Sequence, residues 1–440
     1  MNLHPFQAAA VAGVRELARG GAKRILLQSP TGTGKTRMGL EFAVGAVRQG
    51  GQVLWLAHRR ELVAQAAGAI MRAGVADIGV SLAGASTGST DAAVQVGSIQ
   101  TLFARGQRPD ARVVVWDEAH HCTATTYREV ASAYPDAWHI GLTATPERSD
   151  HSPLGDVFQA IVVAISSPDA VRRGCLVPVR VYAPATSTDA LSEDPLAAWT
   201  AHAEGRQTVA FCSSVSGAAE LARRFVAAGV PAASIDGTTP LAERTATLAA
   251  FAARELRVLC NCQVLTEGWD CPGAQVCILA RGCGSAALFL QMVGRVLRPA
   301  DGKGDAVLID LRGVVHQHGM PHDERSFNLE GEGIALVSKA GDPIRQCPSC
   351  AAVFRAASAG LERECPICGA ALPAPAPPRA TVERRPLAEI HATASREEKR
   401  RAYDRFREQA RARGYSQGWA AYRFKGVFGH FPDFSRSEVA

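Results

Sequence analysis

The chain has 440 residues, 47% of them hydrophobic, which is enough for two or three globular domains. It has no run of eighteen or more apolar residues and begins directly with a motif, so we expect neither a membrane span nor a signal peptide. The protein is therefore predicted to be cytoplasmic, with its 12 cysteines held as reduced thiols or metal ligands.

The formal net charge of +6 comes from the end of the chain. Residues 379–440 hold 14 Lys and Arg against 8 Asp and Glu, whereas residues 1–378 hold 34 of each sign. A basic tail predicts contact with a polyanion such as a nucleic acid. The alternative is a solvated, charged helix.

Short apolar runs alternate with helical segments over the first 310 residues, a pattern typical of parallel α/β sheets. A first series of strands is predicted at 24–28, 52–57, 94–97, 112–117 and 138–143. A second series is predicted at 179–183, 208–212, 232–236, 257–261, 274–279 and 306–310. Because the series are separated near residues 165–177, we predict two similarly built lobes.

The rhythm stops beyond residue 320, where two Cys-x-x-Cys pairs, a proline-rich spacer and a charge-dense stretch follow. We predict five parts. They are a first lobe at 1–165, a second lobe at 166–320, a zinc ribbon at 345–371, a linker at 372–390 and a basic helical element at 391–440.

A glycine-rich loop joins the first predicted strand to a helix that begins near Lys35. Backbone N–H groups of such a loop, together with the helix N-terminus, bind phosphates. Gly32 and Gly34 allow the tight conformations that the loop needs. Lys35 is predicted to face the β- and γ-phosphates of ATP, and Thr36 to bind Mg²⁺. The alternative is a chance glycine-rich turn.

Two acids end the buried strand at 112–117, where burial is costly unless a cation pairs with them. We predict that Asp117 positions Mg²⁺ and that Glu118 orients or deprotonates the attacking water. Arg295 and Arg298 of the second lobe are predicted to stabilise charge on the γ-phosphate. A surface salt bridge is the alternative for these arginines.

Seven blocks stand in a fixed order, and together they resemble superfamily 2 helicases and translocases over roughly residues 3–312. The match is closest to the RadD-like, XPB-like and restriction-translocase branch, which includes compact prophage-type helicases. The blocks are Leu-His-Pro-Phe-Gln at 3–7, Ser-Pro-Thr-Gly-Thr-Gly-Lys-Thr at 29–36, Ala-His-Arg-Arg-Glu-Leu at 57–62, Asp-Glu-Ala-His at 117–120, Thr-Ala-Thr-Pro at 143–146, Thr-Glu-Gly-Trp-Asp at 266–270 and Gln-Met-Val-Gly-Arg-Val-Leu-Arg at 291–298.

The resemblance implies an α/β fold of two tandem RecA-like lobes that hydrolyse ATP between them and move on DNA. It implies that Gln7 reads the adenine edge and that Gln291 joins the catalytic set. Further nucleotide contacts are implied for Thr31 and Thr33. Coupling of ATP to lobe movement is implied for His120, Thr143, Thr145, Gly268 and Asp270. Nucleic-acid contacts are implied for Arg59, Arg60, Ser98, Thr101 and Thr266.

The cysteine pairs are separated by 14 residues, a spacing that fits a four-thiolate zinc site. The predicted ligands are Cys347, Cys350, Cys365 and Cys368. The alternative is an exposed redox pair. Cys260 and Cys262 are interpreted as core thiols, and His121 and Cys122 as local packing.

The predicted function is that of an ATP-dependent DNA helicase or translocase, with single-stranded or forked DNA favoured and no membrane partner. No inserted domain or strand-separating pin is visible, so translocation is better supported than unwinding. The alternatives are an RNA helicase, an ATP-switched DNA-binding factor, and a motor subunit of a repair or defence complex. The sequence shows no nuclease cluster of its own.

Overall fold

The computed structural model describes residues 3–84, 86–121, 124–148, 152–330, 334–337, 344–355, 364–372, 396–412, 418–428 and 432. The chain divides into a large unit up to residue 375 and a small C-terminal unit. No helix of the described ranges is both long and apolar enough to cross a membrane.

The first lobe is built on a sheet of seven parallel strands. The strands are β1 (Arg24–Gln28), β2 (Val53–Ala57), β3 (Ile78–Ser81), β4 (Val94–Ser98), β5 (Val113–Asp117), β6 (Trp138–Thr143) and β7 (Ala160–Val163). Their order across the sheet is β3-β4-β2-β5-β6-β1-β7. The helices are α1 (Pro5–Arg19), α2 (Lys35–Arg48), α3 (Arg60–Arg72), α4 (Ile99–Ala104) and α5 (Ala124–Ala133).

Helices cover both faces of this sheet, as a parallel sheet requires. Every residue of β2, β4 and β5 is buried. Trp55 and Trp116 are fully buried and belong to two different apolar clusters of the lobe. The carboxyl ends of the strands therefore remain the open edge, where α/β sheets bind ligands.

The second lobe repeats the design with six parallel strands. They are β8 (Val179–Tyr182), β9 (Thr208–Cys212), β10 (Ala232–Ile235), β11 (Val258–Asn261), β12 (Val276–Ala280) and β13 (Ala306–Asp310). The helices are α6 (Ser167–Arg172), α7 (Pro195–His202), α8 (Val215–Ala227), α9 (Leu241–Ala252), α10 (Ala286–Val293) and α11 (Val314–His318). Two tandem parallel-sheet lobes confirm the predicted fold class.

The segment after the second lobe is tied back to both lobes. A short antiparallel pair, β14 (Arg325–Ser326) and β15 (Ala335–Leu336), follows α11. Between these two strands, the carbonyl of Leu329 accepts a hydrogen bond from the N–H of Gly155 at 2.6 Å. The side chain of Leu329 packs on an apolar cluster of the first lobe. Residues beyond 320 thus help to hold the two lobes together.

The cysteine-bearing hairpin is continuous with the second sheet. Its strands are β16 (Ile344–Gln346) and β17 (Ala352–Arg355), and β17 pairs antiparallel with β8. The whole sheet runs β10-β11-β9-β12-β13-β8-β17-β16. The sequence predicted a ribbon beyond the second lobe, but it did not predict that the ribbon would extend this sheet.

The C-terminal unit contains helices α12 (Arg396–Ala412) and α13 (Trp419–Phe428). Phe424 is fully buried and meets the ring of Tyr403 edge-on, with centroids 5.6 Å apart. Exposed arginines cover α12, at positions 400, 401, 405, 407 and 411. Phe424 thus serves the core of the unit, while the basic face of α12 is open. The predicted linker from residue 373 onward lies outside the described residues.

Candidate functional site

The glycine-rich loop follows β1 and leads into α2. Gly32 and Gly34 adopt left-handed φ values of +90° and +86°, a conformation that glycine adopts without strain. A Cβ on Gly34 would lie 2.6 Å from Nε2 of Gln7. The loop is also closed internally, because Oγ1 of Thr33 donates to the carbonyl of Pro30 at 2.7 Å. The loop leads into the N-terminus of α2. The first backbone N–H groups of a helix have no carbonyl partner within it, and this is the positive end of the helix dipole.

Gln7 is tied to this loop rather than free. Its Nε2 donates to the carbonyl of Thr33 at 2.9 Å, and its Oε1 accepts from the N–H of His4 at 3.0 Å. The residue is 2% exposed. Adenine recognition by Gln7 stays a prediction, and the described contacts fix the position of the amide against the phosphate loop.

The acidic pair lies at the carboxyl end of β5, beside the loop. Nζ of Lys35 is 4.0 Å from Oε1 of Glu118. Burial, together with the adjacent Glu118 carboxylate, raises the pKa of Asp117. Burial also opposes ionisation of Glu118, but Lys35 and His120 outweigh it and hold the pKa of Glu118 below its ordinary value. One carboxyl that favours a proton and one that favours ionisation therefore stand side by side.

Glu118 also has an unusual backbone, with φ at +51°. This region is sparsely populated by non-glycine residues and is often found at functional sites. The turn directs the side chain towards Lys35 and His120, whose Nδ1 is 3.6 Å from Oε2 of Glu118.

The arginine-bearing segment after α10 reaches the phosphate loop from the second lobe. A Cβ on Gly32 would lie 2.8 Å from Cγ of Arg298, and one on Gly294 would lie 2.6 Å from Cβ of Thr31. Arg298 also pairs with Asp270. Glycines at both positions thus let the lobes approach closely at the expected γ-phosphate site.

Arg295 is placed differently from Arg298. It is 4% exposed, and its Nε and Nη2 donate to the carbonyl of Thr266 at 3.0 and 2.8 Å. Its Nη1 donates to the carbonyl of Trp269 at 2.7 Å. The sequence predicted the two arginines to act alike, and both contact the 266–270 block. Arg295 holds its backbone carbonyls with three short hydrogen bonds, whereas Arg298 pairs with the side chain of Asp270 and is 3.4 Å from the carbonyl of Trp269.

A hydrogen-bond network crosses the cleft next to the acidic pair. Nδ1 of His120 is 3.0 Å from Oγ1 of Thr143, and Nε2 of His120 is 3.0 Å from Nε2 of Gln291 in the second lobe. Gln291 also donates to Oγ1 of Thr145 at 3.3 Å. Oγ1 of Thr143 closes the network by bonding the carbonyl and N–H of Thr145. Three predicted coupling residues and one predicted catalytic residue thus form a single connected group.

The predicted nucleic-acid residues do not share one environment. Oγ of Ser98 donates to Oγ1 of Thr101 at 3.0 Å, and both residues are buried. Thr266 is buried too, and its hydroxyl donates to the carbonyl of Gln263 at 3.2 Å. Arg60 is exposed. Contacts of these residues with nucleic acid stay predictions, and three of the hydroxyls already have protein partners.

The 266–270 block meets α3 of the first lobe. The carbonyl of Gly268 accepts from Nε2 of Gln65 at 2.5 Å. Gly268 has a φ of +72°, and a Cβ there would lie 3.5 Å from Cγ of Leu62. On the same helix, Glu61 pairs with Arg244 of the second lobe at 3.1 Å. This block is therefore a lobe–lobe contact as well as a predicted coupling element.

Sequence reasoning missed a cluster of His58, His121 and Glu267 in the same cleft. Nε2 of His121 is 2.6 Å from Oε1 of Glu267, and Nε2 of His58 is 2.9 Å from Oε2. The interpretation of His121 as local packing is incomplete, because its partner lies in the other lobe. Cys122 lies outside the described residues.

The four predicted zinc ligands converge. Sγ of Cys347 is 3.8 Å from Sγ of Cys368, and Sγ of Cys350 is 3.8 Å from Sγ of Cys365. All four sulfur atoms lie within 4.8 Å of one another. By contrast, Cys260 lies within β11 and is fully buried, as the interpretation of a core thiol requires.

The buried acids Asp117 and Glu118 lie between a phosphate loop on one lobe and an arginine-bearing segment on the other. Both lobes are built on a parallel α/β sheet. This arrangement defines a P-loop ATPase that works between two lobes. Family models agree with it. Residues 1–148 match the model described as type III restriction enzyme, res subunit, and residues 191–300 match the helicase conserved C-terminal domain.

Relatives give the same result. A 51.5 kDa protein of a Lactococcus phage is 28% identical over 368 residues, which are 78% of this chain and 77% of the phage protein. A protein named as the mitochondrial ATP-dependent helicase irc3 of Schizosaccharomyces pombe is 27% identical over 71% of this chain, and the match spans 57% of its own length. The chain belongs to the superfamily 2 helicases and is an ATP-dependent helicase or translocase.

Solved structures share the fold at low identity. A fragment described as an HsdR subunit of a type I restriction enzyme from Vibrio vulnificus has a TM-score of 0.58 at 22% identity, with 76% of this chain and 70% of the fragment covered. The restriction-modification enzyme LlaBIII bound to DNA has a TM-score of 0.55 at 17% identity, covering 71% of this chain and 28% of that one. Yeast Dbp5 bound to RNA has a TM-score of 0.53 at 17% identity, covering 73% of this chain and 92% of the Dbp5 chain. These likenesses show that the two lobes share this fold.

Proposed function

We propose that the chain is a DNA translocase that converts ATP hydrolysis into opening and closing of the two lobes. The observation that carries this proposal is the network from Glu118 through His120 to Gln291. His120 lies 3.6 Å from Glu118, close enough to sense its charge, and is hydrogen-bonded to Gln291 of the other lobe at 3.0 Å. A change of charge at the γ-phosphate position would therefore bias lobe closure.

We propose the following nucleotide contacts. The phosphates bind the N–H groups of the loop at 29–36, with Lys35 as the cation and Gln7 near the base. Asp117 and Thr36 would hold Mg²⁺, which neutralises phosphate charge when it is bound. Glu118 orients the attacking water, and Arg298 approaches the γ-phosphate from the second lobe.

DNA is proposed as the track over RNA because of the chain's place among restriction-type motors and its basic tail. Arg59 and Arg60 are the proposed phosphate contacts, with Ser98, Thr101 and Thr266 joining when the lobes move. Such contacts set register and carry no sequence information. The proposed lobes are 1–165 and 166–320, and a role in repair or defence and a cytoplasmic location stay predictions.

Steady-state ATPase activity tests the proposal. It should be measured with no nucleic acid and with single-stranded DNA, duplex DNA, forked DNA and RNA. We expect stimulation by DNA, single-stranded or forked above all, and none of it in Lys35→Ala. Preferential stimulation by RNA would replace DNA with RNA as the track. Hydrolysis without movement in a strand-displacement or triplex-displacement assay would favour an ATP-dependent switch over a motor.

We propose a structural zinc ion at the four cysteines. Tetrahedral zinc with Zn–S distances of about 2.3 Å places its sulfur ligands roughly 3.8 Å apart, and two of the sulfur pairs here are 3.8 Å apart. With four protein ligands, the ion would fix the hairpin that extends the second sheet.

Elemental analysis should find one zinc per chain at this site, and Cys350→Ser should lose it. Removing the ion should make the cysteine-bearing segments more sensitive to proteolysis, because the four thiolates would no longer be held together. Cys175→Ser is the matched control, since Cys175 lies in the second lobe. Full zinc content in Cys350→Ser would rule out this ligand set.

We propose that the basic face of α12 binds DNA phosphates. Deleting residues 379–440 should weaken DNA binding and lower the slope of log K against log salt concentration, by about one for every phosphate that the shortened chain no longer binds. The comparison is binding over a salt series for the full and shortened chains. Equal slopes would make α12 a solvated helix instead.

A further inference from the structure

The cluster of His58, His121 and Glu267 draws its members from both lobes. His58 follows β2, and His121 ends a turn after β5, in the first lobe. Glu267 lies between β11 and β12 of the second lobe. The imidazole rings of His58 and His121 are tilted by 40° to each other, with centroids 4.0 Å apart. One donor atom from each residue lies within 4.8 Å of the others.

The pairing of His58 with Glu267 has the guanidinium of Arg59 beside it. Nε2 of His58 accepts a hydrogen bond from Nε of Arg59 at 3.3 Å, so a metal ion on this nitrogen would replace that contact. The same Nε2 lies 2.9 Å from Oε2 of Glu267. Two acceptors at this distance repel each other, and a metal cation bound to both would compensate them more closely than Nε of Arg59, which lies 3.3 Å from one and 3.7 Å from the other.

The carboxylate of Glu267 is buried. The side chain of Glu267 is only 4% exposed, and its negative charge needs compensation at that depth. His120 lies 3.4 Å from Oε1, and Nε of Arg59 lies 3.7 Å from Oε2. Arg59 is held at the edge of the cluster by its own hydrogen bond to the carbonyl of Val264 at 3.4 Å.

A cavity of about 470 Å³ opens onto the cluster and is lined by His121 and Glu267. It provides an entry path and room for water. Two imidazoles and one carboxylate are a ligand set typical of borderline transition metals, whereas Mg²⁺ and Ca²⁺ prefer oxygen ligands alone.

We propose that His58, His121 and Glu267 form a binding site for a divalent transition-metal ion, of the Zn²⁺, Co²⁺ or Ni²⁺ type, that bridges the two lobes. Metal–ligand bonds of about 2.0–2.2 Å require donor atoms roughly 3.3 Å apart. The closest donors here, at 2.6 and 2.9 Å, would have to spread by less than about 1 Å. Since the ligands come from both lobes, bound metal favours the closed cleft. Its three ligands differ from the residues of the nucleotide and cysteine sites, and His120 lies between it and Glu118.

Cobalt absorption tests the proposal on the full chain. The cysteine site is first loaded with one equivalent of Zn²⁺, unbound zinc is removed, and Co²⁺ is then titrated without nucleotide. We expect one Co²⁺ per chain, with visible d–d bands and no thiolate-to-cobalt charge-transfer band. His121→Gln and His58→Gln should each weaken the apparent affinity by at least about tenfold.

His202→Gln provides the matched control, because His202 ends α7 and stacks on Tyr182 away from the cleft. Circular dichroism and melting curves show whether each variant is folded. The side chain of His121 is 37% exposed, so His121→Gln should fold even if His58→Gln does not. Unchanged Co²⁺ affinity in folded His121→Gln, or no cobalt bound beyond the cysteine site, would overturn the proposal and leave a hydrogen-bonded cluster.

Discussion

Replacing Glu118 by Gln is expected to lower kcat for ATP hydrolysis by about 10²–10⁴-fold, the range for loss of a general base. The carboxylate is buried, yet Lys35 and His120 keep its pKa below the ordinary value, so it is ionised at neutral pH. The amide of Gln occupies the same space without a basic oxygen. Binding of ATP should survive, because the phosphate loop is intact.

The measurement pairs steady-state ATPase activity, at saturating DNA, with equilibrium binding of a fluorescent ATP analogue. Glu129→Gln is the matched control, since Glu129 is exposed on α5. Lys35→Ala should differ from both by losing nucleotide affinity. If Glu118→Gln kept kcat within about threefold of the parent, Glu118 would not be the general base, whose loss typically lowers kcat by about 10²–10⁴-fold. Glu118 would then have another role.

The fold was predictable because each buried core strand has an apolar sequence that can be recognised without knowledge of its neighbours. All eleven predicted strands are present, since buried parallel strands are short apolar runs that can be recognised one at a time. β3 and β7 were missed. β3 contains a glycine and a serine, and β7 is an edge strand that is only half buried. Neither therefore has the continuous apolar sequence that predicts a buried core strand.

Contacts within one loop were predictable in the same way, whereas contacts between distant segments were not. The phosphate loop follows directly from β1, and the acidic pair follows from β5. The His121–Glu267 contact joins residues 146 positions apart and exists only because the lobes close. The pairing of β17 with β8 is of the same kind, because it depends on an open sheet edge that the ribbon sequence cannot reveal.

The two arginines that the sequence treated alike should separate in experiment. Arg298→Ala should lower kcat by at least about 10²-fold, the scale of a missing transition-state cation. Its side chain is largely buried at the phosphate loop, where a Cβ on Gly32 would lie 2.8 Å from its Cγ. Its protein partners are Asp270, whose side chain is 62% exposed, and the carbonyl of Trp269 at 3.4 Å. The melting temperature should therefore change little.

Arg295→Ala should instead reduce stability and activity together. Burial lowers the pKa of Arg295 to about 10, and its guanidinium satisfies the carbonyls of Thr266 and Trp269. Losing it would leave the buried carbonyl of Thr266 without this partner, which costs about 1–3 kcal/mol, and would leave the carbonyl of Trp269 only its 3.4 Å contact with Arg298. Arg223→Ala, at an exposed site on α8, is the control for both variants. The assignment fails if Arg298→Ala loses stability while Arg295→Ala keeps it, since Arg298 would then be the positioning residue and Arg295 the one that meets the phosphate.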